Sequence, residues 1–258
     1  MRGLVQFTLR RLPVMVPTLL FVSILVFMLQ QLLPGDPALA LSGEDHDPEV
    51  VAQIRQKYGF DRPVLVQYLY WLGNLLRGDL GMSYRTHLSV LELIASKLPV
   101  TIELAVFSMI IALVLGIPAG VFAATRQGTA GGLGVNLAAL AGISVPQFWL
   151  GIMMILLFSV NLGWLPASGY VPPWVDLKRN LVSLIMPAFV LGTGVAGVIM
   201  RHTQSAMIEV LGADYIRTAR ANGLTERRVV NKHALRNALI PVITLSTIEF
   251  GRLLSGAI

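Results

Sequence analysis

Long apolar runs recur along this chain, and they constrain its fold more than any other feature. The first runs from Leu12 to Leu33 and is apolar apart from Ser, Thr and Gln. About 20 apolar residues cross the hydrocarbon core of a bilayer as a helix. Only 13% of the 258 residues are charged, whereas soluble domains carry about 25%. The sequence therefore predicts an all-α polytopic membrane protein.

Five such runs alternate with polar segments, and basic residues orient them. Arg2, Arg10 and Arg11 precede the first run without any acid, so the positive-inside rule predicts a cytoplasmic amino terminus. A secretory signal peptide is the competing interpretation, but its apolar region would be shorter and would end in small residues. This run instead ends in the segment 30–37, QQLLPGDP. The predicted spans are 12–33, 99–124, 133–160, 181–200 and 238–258.

Residues 34–98 form a predicted external subdomain between spans one and two. The segment has no excess of basic residues, which is typical of the outer face. We expect helices over Pro48–Tyr58 and Val64–Leu76 and a turn at Gly78–Gly81. The aromatic residues of the second helix suit a membrane interface; they are Tyr68, Tyr70 and Trp71.

The remaining residues, 99–258, form the predicted membrane core, with a cytoplasmic segment at 201–237. In span four, Gly192 with Ala196 and Thr193 with Gly197 are small residues four apart. This spacing lets helices approach closely.

Three charged residues fall inside predicted spans, where they are functional candidates. Glu103 lies near the outer end of span two, and Glu249 and Arg252 lie three apart in span five. Each has two interpretations: part of a polar translocation path, or structural pairing. For Glu103, pairing means a bond to a neighbouring helix; for Glu249 and Arg252, it means an internal ion pair.

The cytoplasmic segment 201–237 has an ordered pattern that an idle loop does not need. Gly212 interrupts helix propensity, Asp214 suits a helix amino end, and Gly223 suits the left-handed residue after a helix. A second helix is predicted over Thr225–Asn237. Its basic residues recur every four positions, opposite small apolar ones; the basic set is Arg228, Lys232 and Arg236, and the apolar set is Val230, Ala234 and Ala238.

Several function classes are excluded or disfavoured by composition. The chain has no Cys, its four His are far apart, and no Lys follows a Gly. These features exclude a disulfide scaffold, cysteine-ligated metal and a phosphate loop for ATP. Most basic residues flank apolar runs, so the net charge of +6 does not indicate nucleic-acid binding. Anionic lipid headgroups could use the basic stripe.

The segment Asp214–Leu224, DYIRTARANGL, carries a family resemblance. It resembles the coupling-helix signature of the permease subunits of bacterial ATP-binding-cassette importers, in the dipeptide, oligopeptide and nickel permease B branch. Arg217 opens the triplet that replaces the Glu-Ala-Ala of the general importer motif, and Gly223 matches its Gly. Further matches are Pro34–Pro37, Gly78–Gly81, Phe148–Gly151 and His233–Ala238.

The resemblance implies a type I importer transmembrane fold, multi-pass in the bacterial inner membrane. Implied partners are a second homologous permease, two cytoplasmic ATPase subunits and a periplasmic solute-binding protein. ATP would be used by those subunits, with no cofactor, metal or catalytic site in this chain. The implied coupling residues are Gly212, Asp214, Tyr215, Ile216, Arg217, Ala219, Arg220 and Gly223. We expect Tyr215, Ile216, Ala219 and Arg220 to form the docking surface.

Family members normally continue beyond the point where this chain stops, at Ile258 within an apolar run. We therefore expect five spans to be present and a sixth to be missing. Peptides are the expected solute, with nickel chelates or glutathione as alternatives. An ion-coupled transporter or channel, an intramembrane enzyme and an inactive scaffold are the rival classes.

Overall fold

The computed structural model describes residues 2–42, 47–83, 86 and 88–256; the side chains of residues 2–12 and 40 are not described. The predicted end of span five, 257–258, lies outside these ranges. The chain divides into two compact units, Met1–Ser96 and Lys97–Ile258. The helices of the first unit are α1 (Arg2–Gln31), α2 (Pro37–Leu41), α3 (Pro48–Tyr58) and α4 (Val64–Leu76).

The long helix α5 (Val90–Thr125) leads into the second unit and is followed by six further helices. They are α6 (Ala130–Ser144), α7 (Gln147–Met154), α8 (Leu177–Leu211), α9 (Asp214–Ala221), α10 (Glu226–Arg228) and α11 (Leu235–Gly256). Two π-helical segments adjoin them, Ile155–Asn161 after α7 and Val229–Ala234 between α10 and α11.

Within the described residues, four continuous helices are long and apolar enough to cross a membrane. They are Pro13–Gln31, Val90–Thr125, Leu177–Leu211 and Glu226–Gly256. Predicted spans one, two, four and five coincide with them, but the boundaries differ. α5 begins nine residues before the predicted start at residue 99, and α8 runs eleven residues past the predicted end at residue 200. Apolarity marks the part of a helix inside lipid, whereas the helix itself continues into water.

Predicted span three, 133–160, is not one continuous helix in the structure. α6 and the helix Gln147–Asn161 meet at 96°. The break lies at Val145, which is extended (φ −71°, ψ 124°), because the ring of Pro146 disfavours helical geometry in the residue before it. The pair is either one broken span or a re-entrant loop. The described residues therefore contain four helices that are long and apolar enough to cross a membrane, or up to five such segments if the bent pair is one span.

In the first unit, local sequence signals set the helix ends. Asp47 caps α3, its carboxylate accepting the Glu49 N–H at 2.9 Å, and Gly59 ends the helix at φ 71°. The predicted bounds of α3 and α4 are confirmed. Gly78 and Gly81 also adopt left-handed φ angles of 83° and 77°, as the predicted turn requires.

The core of the second unit forms around α8, which has two faces of small residues. On one face, a Cβ added to Gly192 would lie 2.8 Å from the Ser108 carbonyl oxygen of α5. On the other, a Cβ added to Gly197 would lie 2.8 Å from the Ala139 carbonyl oxygen of α6. The two predicted pairs of small residues therefore serve different neighbours, and α8 packs closely against both.

Candidate functional site

The short helix α9 lies between the two longest helical segments of the second half of the chain. Gly212 follows α8 in right-handed geometry (φ −81°), and Ala213 is extended before the helix begins. After the helix, Gly223 is left-handed at φ 76°. The Leu224 N–H donates to the Ala219 carbonyl at 3.3 Å, a six-residue closure typical of helix ends. The predicted short helix and the left-handed Gly223 are confirmed.

The inner face of α9 is buried in the chain's own core. Ile216 is 0% exposed and Ala219 is 8% exposed. They belong to an apolar cluster that joins α9 to α8, to the π-helical segment and to α11. We call it the inner cluster; its buried members are Ala124, Met207, Ile216, Ala219, Val229, Val230, Ala234 and Ala238.

This burial corrects the expected docking surface. Ile216 and Ala219 were expected to contact a partner, but their side chains face the inner cluster. The reason is the amphipathic spacing of α9, in which apolar residues three apart share one face. The surface open to a partner consists of the polar face, whose exposed members are Asp214, Tyr215, Arg217, Thr218 and Arg220.

Two polar contacts attach this outer face to the following helix. The Arg220 guanidinium donates to both carboxylate oxygens of Glu226, at 3.1 and 2.7 Å. This hydrogen bonding and the carboxylate charge raise the pKa of Arg220 above its usual value. The Asn237 amide donates to the Tyr215 hydroxyl at 2.8 Å. α9 is therefore held by apolar packing beneath and by two side-chain bridges at its surface.

The basic stripe expected on the second helix is confirmed. Its three basic residues are exposed, and the apolar positions on the other side are buried. The helix is not a plain α-helix, because Val229–Ala234 is π-helical. A π turn holds more residues than an α turn, so positions four apart stay aligned along the axis.

The charged residues of the predicted spans are all paired with neighbours. Glu103 accepts hydrogen bonds from the Tyr170 hydroxyl at 3.1 Å and from the Asn180 amide at 2.9 Å. Arg252 donates to Glu249 at 3.1 Å, and the Glu249 side chain is 8% exposed. The structural interpretation of each is therefore observed; a role in a translocation path stays a prediction.

Sequence reasoning missed Asn180 and Tyr170. The Asn180 amide also donates to the Val171 carbonyl at 2.9 Å, and the residue is 1% exposed. Desolvation, followed by its bond to Glu103, raises the pKa of Tyr170. The available signal was weak, namely a single amide at the head of an apolar run.

Comparison with known proteins places the whole chain in one family. The family described as the binding-protein-dependent transport system inner membrane component matches residues 116–258. Its amino-terminal companion matches residues 4–105. The chain belongs to this family of ABC importer permeases.

Relatives agree with this assignment. The permease is 45% identical over 250 residues to a Brucella suis protein that is named as a peptide transport system permease. The match covers 97% of this chain and 80% of that protein. It is 43% identical to the di/tripeptide transport system permease of Pseudomonas aeruginosa and 41% identical to the dipeptide transport system permease of Escherichia coli. Both matches cover 99% of this chain and 82% of the relative. The permease is thus a multi-pass inner-membrane protein, and these relatives are named as peptide permeases.

Proposed function

We propose that the permease is the membrane-spanning subunit of an ATP-driven importer that moves di- and oligopeptides into the cytoplasm. The observation that carries this proposal is α9. It is a short helix with its apolar face in the inner cluster and its polar face exposed, which is the form expected of a helix gripped by a separate protein. Family membership and the relatives' names support the peptide substrate.

The working complex would contain a second, homologous permease, two cytoplasmic ATPase subunits and an external solute-binding protein, within membrane lipid. ATP is bound and hydrolysed by the ATPase subunits, so the permease itself is no enzyme and holds no cofactor. We propose the α9 set, Gly212 to Gly223, as the coupling region, with the exposed polar face as the docking surface. Gly212 and Gly223 shape its ends.

Motion would pass from the ATPases into the membrane through the inner cluster. Closure of the ATPase dimer on ATP would displace α9. Because Ile216 belongs to the same apolar cluster as Met207 of α8 and Ala238 of α11, both long helices would move with it. Such a displacement would switch the spans between inward-facing and outward-facing states, as alternating access requires.

A matched pair of charge reversals tests the docking surface. Arg217 pairs with Asp214 three residues earlier, at 3.4 Å, and its side chain is 74% exposed. Arg179 pairs with Asp176 in the same way, at 3.4 Å and 78% exposed, but at the other end of α8. The two arginines therefore differ chiefly in position, and Arg179→Glu is the control for Arg217→Glu.

We expect Arg217→Glu to reduce uptake of a labelled dipeptide about tenfold, equivalent to about 1.4 kcal/mol of lost docking free energy. Uptake is measured in vesicles containing the complete transporter, together with ATP hydrolysis and recovery of the ATPase subunits with the permease. Arg179→Glu should stay close to wild type. Equal losses in both variants, or none in Arg217→Glu, would contradict the proposed surface. If the transporter takes up nickel chelates or glutathione instead of dipeptide, the proposed substrate is wrong, but the proposed coupling through α9 is unaffected.

A further inference from the structure

The external segment of the first unit contains a helix, α4, with a stripe of leucines that is exposed within the part of the chain that the structure describes. In α4 no residue is charged, and three leucines on one helical face are open: Leu65 is 64%, Leu69 57% and Leu76 80% exposed. Gln67 and Asn74 lie on the opposite face by the 3.6-residue repeat. Large exposed apolar stripes indicate a contact with lipid or protein.

Contacts with α1 place α4 beside the membrane-crossing part of the chain. The Tyr68 hydroxyl is hydrogen-bonded to Ser23 at 2.9 Å. Phe27 packs against the rings of Tyr68 and Trp71, with centroids 5.5 and 6.0 Å apart. Ser23 and Phe27 both lie within the apolar stretch Pro13–Gln31.

The depth of α4 can be derived from helix geometry. At 1.5 Å per residue, Phe27 lies about 6 Å and Ser23 about 12 Å inside the carboxyl end of that stretch. None of the residues of the stretch is buried in the chain, so α1 faces its surroundings along its length. A helix bonded to it at this depth has the same surroundings.

We infer that α4 lies in the membrane, with its leucine stripe against the acyl chains of the leaflet at the carboxyl end of α1. In the orientation that the positive-inside rule predicts, this is the outer leaflet. The polar face with Gln67 and Asn74 points toward the headgroups and water, as in other amphipathic interfacial helices. Arg62 and Arg77 flank the helix, and their long side chains can reach the headgroup region from either end.

The neighbouring helix α3 provides an internal contrast. Its sequence PEVVAQIRQKY contains charged residues at both ends, and Gln53 is exposed. The inference therefore concerns α4 alone. It predicts that α4 contacts lipid, whereas the adjacent external helix α3 is exposed to water. It does not depend on the proposed transport function.

Nitroxide scanning tests this placement directly, because the chain has no native cysteine. Single variants Leu69→Cys, Leu65→Cys, Asn74→Cys and Gln53→Cys are spin-labelled in the complete transporter, reconstituted in phosphatidylethanolamine–phosphatidylglycerol vesicles. Collision with oxygen, which concentrates in lipid, is compared with collision with a water-soluble nickel complex. Two stripe positions are used so that failure of one variant to fold leaves the other.

Labels at Leu69 and Leu65 should collide several-fold more with oxygen than with the nickel complex. Labels at Asn74 and Gln53 should show the reverse preference. A nickel preference at both leucines would place α4 in water and overturn the inference. Protection of both leucines from both reagents would also overturn it, because a protein partner would then cover the stripe.

Discussion

The two ends of α8 are held by opposite kinds of interaction. At the amino-terminal end, Asn180 and Tyr170 donate directed hydrogen bonds to the Glu103 carboxylate. At the carboxyl-terminal end, Met207 lies in the apolar inner cluster, with Ile216 of α9. Hydrogen bonds require specific distances and angles, whereas apolar burial is non-directional. We call the amino-terminal end, whose contacts depend on orientation, the fixed end, and the carboxyl-terminal end, whose apolar contacts depend on it less, the mobile end.

This difference fits the motion proposed above, in which α8 follows a displacement of α9. A fixed amino-terminal end acts as a pivot, and a carboxyl-terminal end in an apolar cluster can follow α9. The side-chain bridges of α9 lie at the surface, where water can replace them at small cost. Mutations at the two ends should accordingly have different effects on stability and on coupling.

The largest expected effect concerns the close packing between the two ends. A Cβ added to Gly120 would lie 2.6 Å from the Met200 carbonyl oxygen, and backbone cannot move aside easily. Gly120→Val should destabilise the permease by about 3 kcal/mol through overpacking, measured as a lower thermal midpoint in detergent. Gly134→Val is the control, since its Cβ would meet nothing within 4 Å; a comparable loss there would show that helix propensity, not packing, is responsible.

The next effect tests the fixed end. Asn180→Leu removes the buried amide that donates to Glu103 and to the Val171 carbonyl, and leaves Glu103 with the Tyr170 hydroxyl as its remaining donor. The variant should cost about 2 kcal/mol, again seen as a lower thermal midpoint. Ser183→Ala removes only a hydroxyl bonded to the Asn180 carbonyl at 2.7 Å, and about 1 kcal/mol or less is expected. If the two variants are equally stable, the amino-terminal end is not the pivot.

At the mobile end the expected stability change is small. Arg220 and Glu226 are 42% and 60% exposed, so Glu226→Gln should cost less than about 1 kcal/mol. The same variant loosens α9 from the following helix, so dipeptide uptake per ATP hydrolysed should fall. If Glu226→Gln leaves dipeptide uptake per ATP hydrolysed unchanged but greatly lowers the thermal midpoint, the Arg220–Glu226 pair serves stability rather than coupling, and the proposed difference between the two ends is wrong.

The smallest effect is a pH dependence at the fixed end. The pKa of Tyr170 is raised by desolvation and by Glu103, so the folded state retains the phenol proton that the unfolded state loses. The stabilisation is fully present below the ordinary tyrosine pKa of about 10 and is lost as pH rises through the folded pKa. Between pH 9 and 11 the thermal midpoint should therefore fall less in Tyr170→Phe than in wild type. Parallel curves would contradict this account.

Local signals made parts of the fold predictable from sequence. The bounds of α3 depend on Asp47 and Gly59, and the end of α9 depends on Gly223, since caps and left-handed residues act over a few positions. Pro146 marked a break, but the 96° angle depends on packing between distant segments. The Asn180–Glu103 contact joins residues 77 positions apart, and no local pattern specifies it.

The candidate site was predictable in position but not in orientation. The residues of α9 were identified, yet Ile216 and Ala219 proved to face inward. A helical wheel of Asp214–Ala221 places both on one face, and that amphipathicity was the signal for burial. The apolar surface that covers this face is formed by α8 and α11, and the sequence alone does not predict how these helices pack against α9.

The π-helical segment has a consequence for changes in chain length. Val229–Ala234 holds about one residue more than an α-helix would over the same rise. Deletion of one residue there, such as Asn231, would give a regular α-helix and keep the residues from Leu235 onward in phase with their neighbours. An insertion later in the same helix would instead rotate the residues after it by about 100° and turn the buried Glu249 outward. The length of this helix can thus be edited at its π turn without changing which face packs.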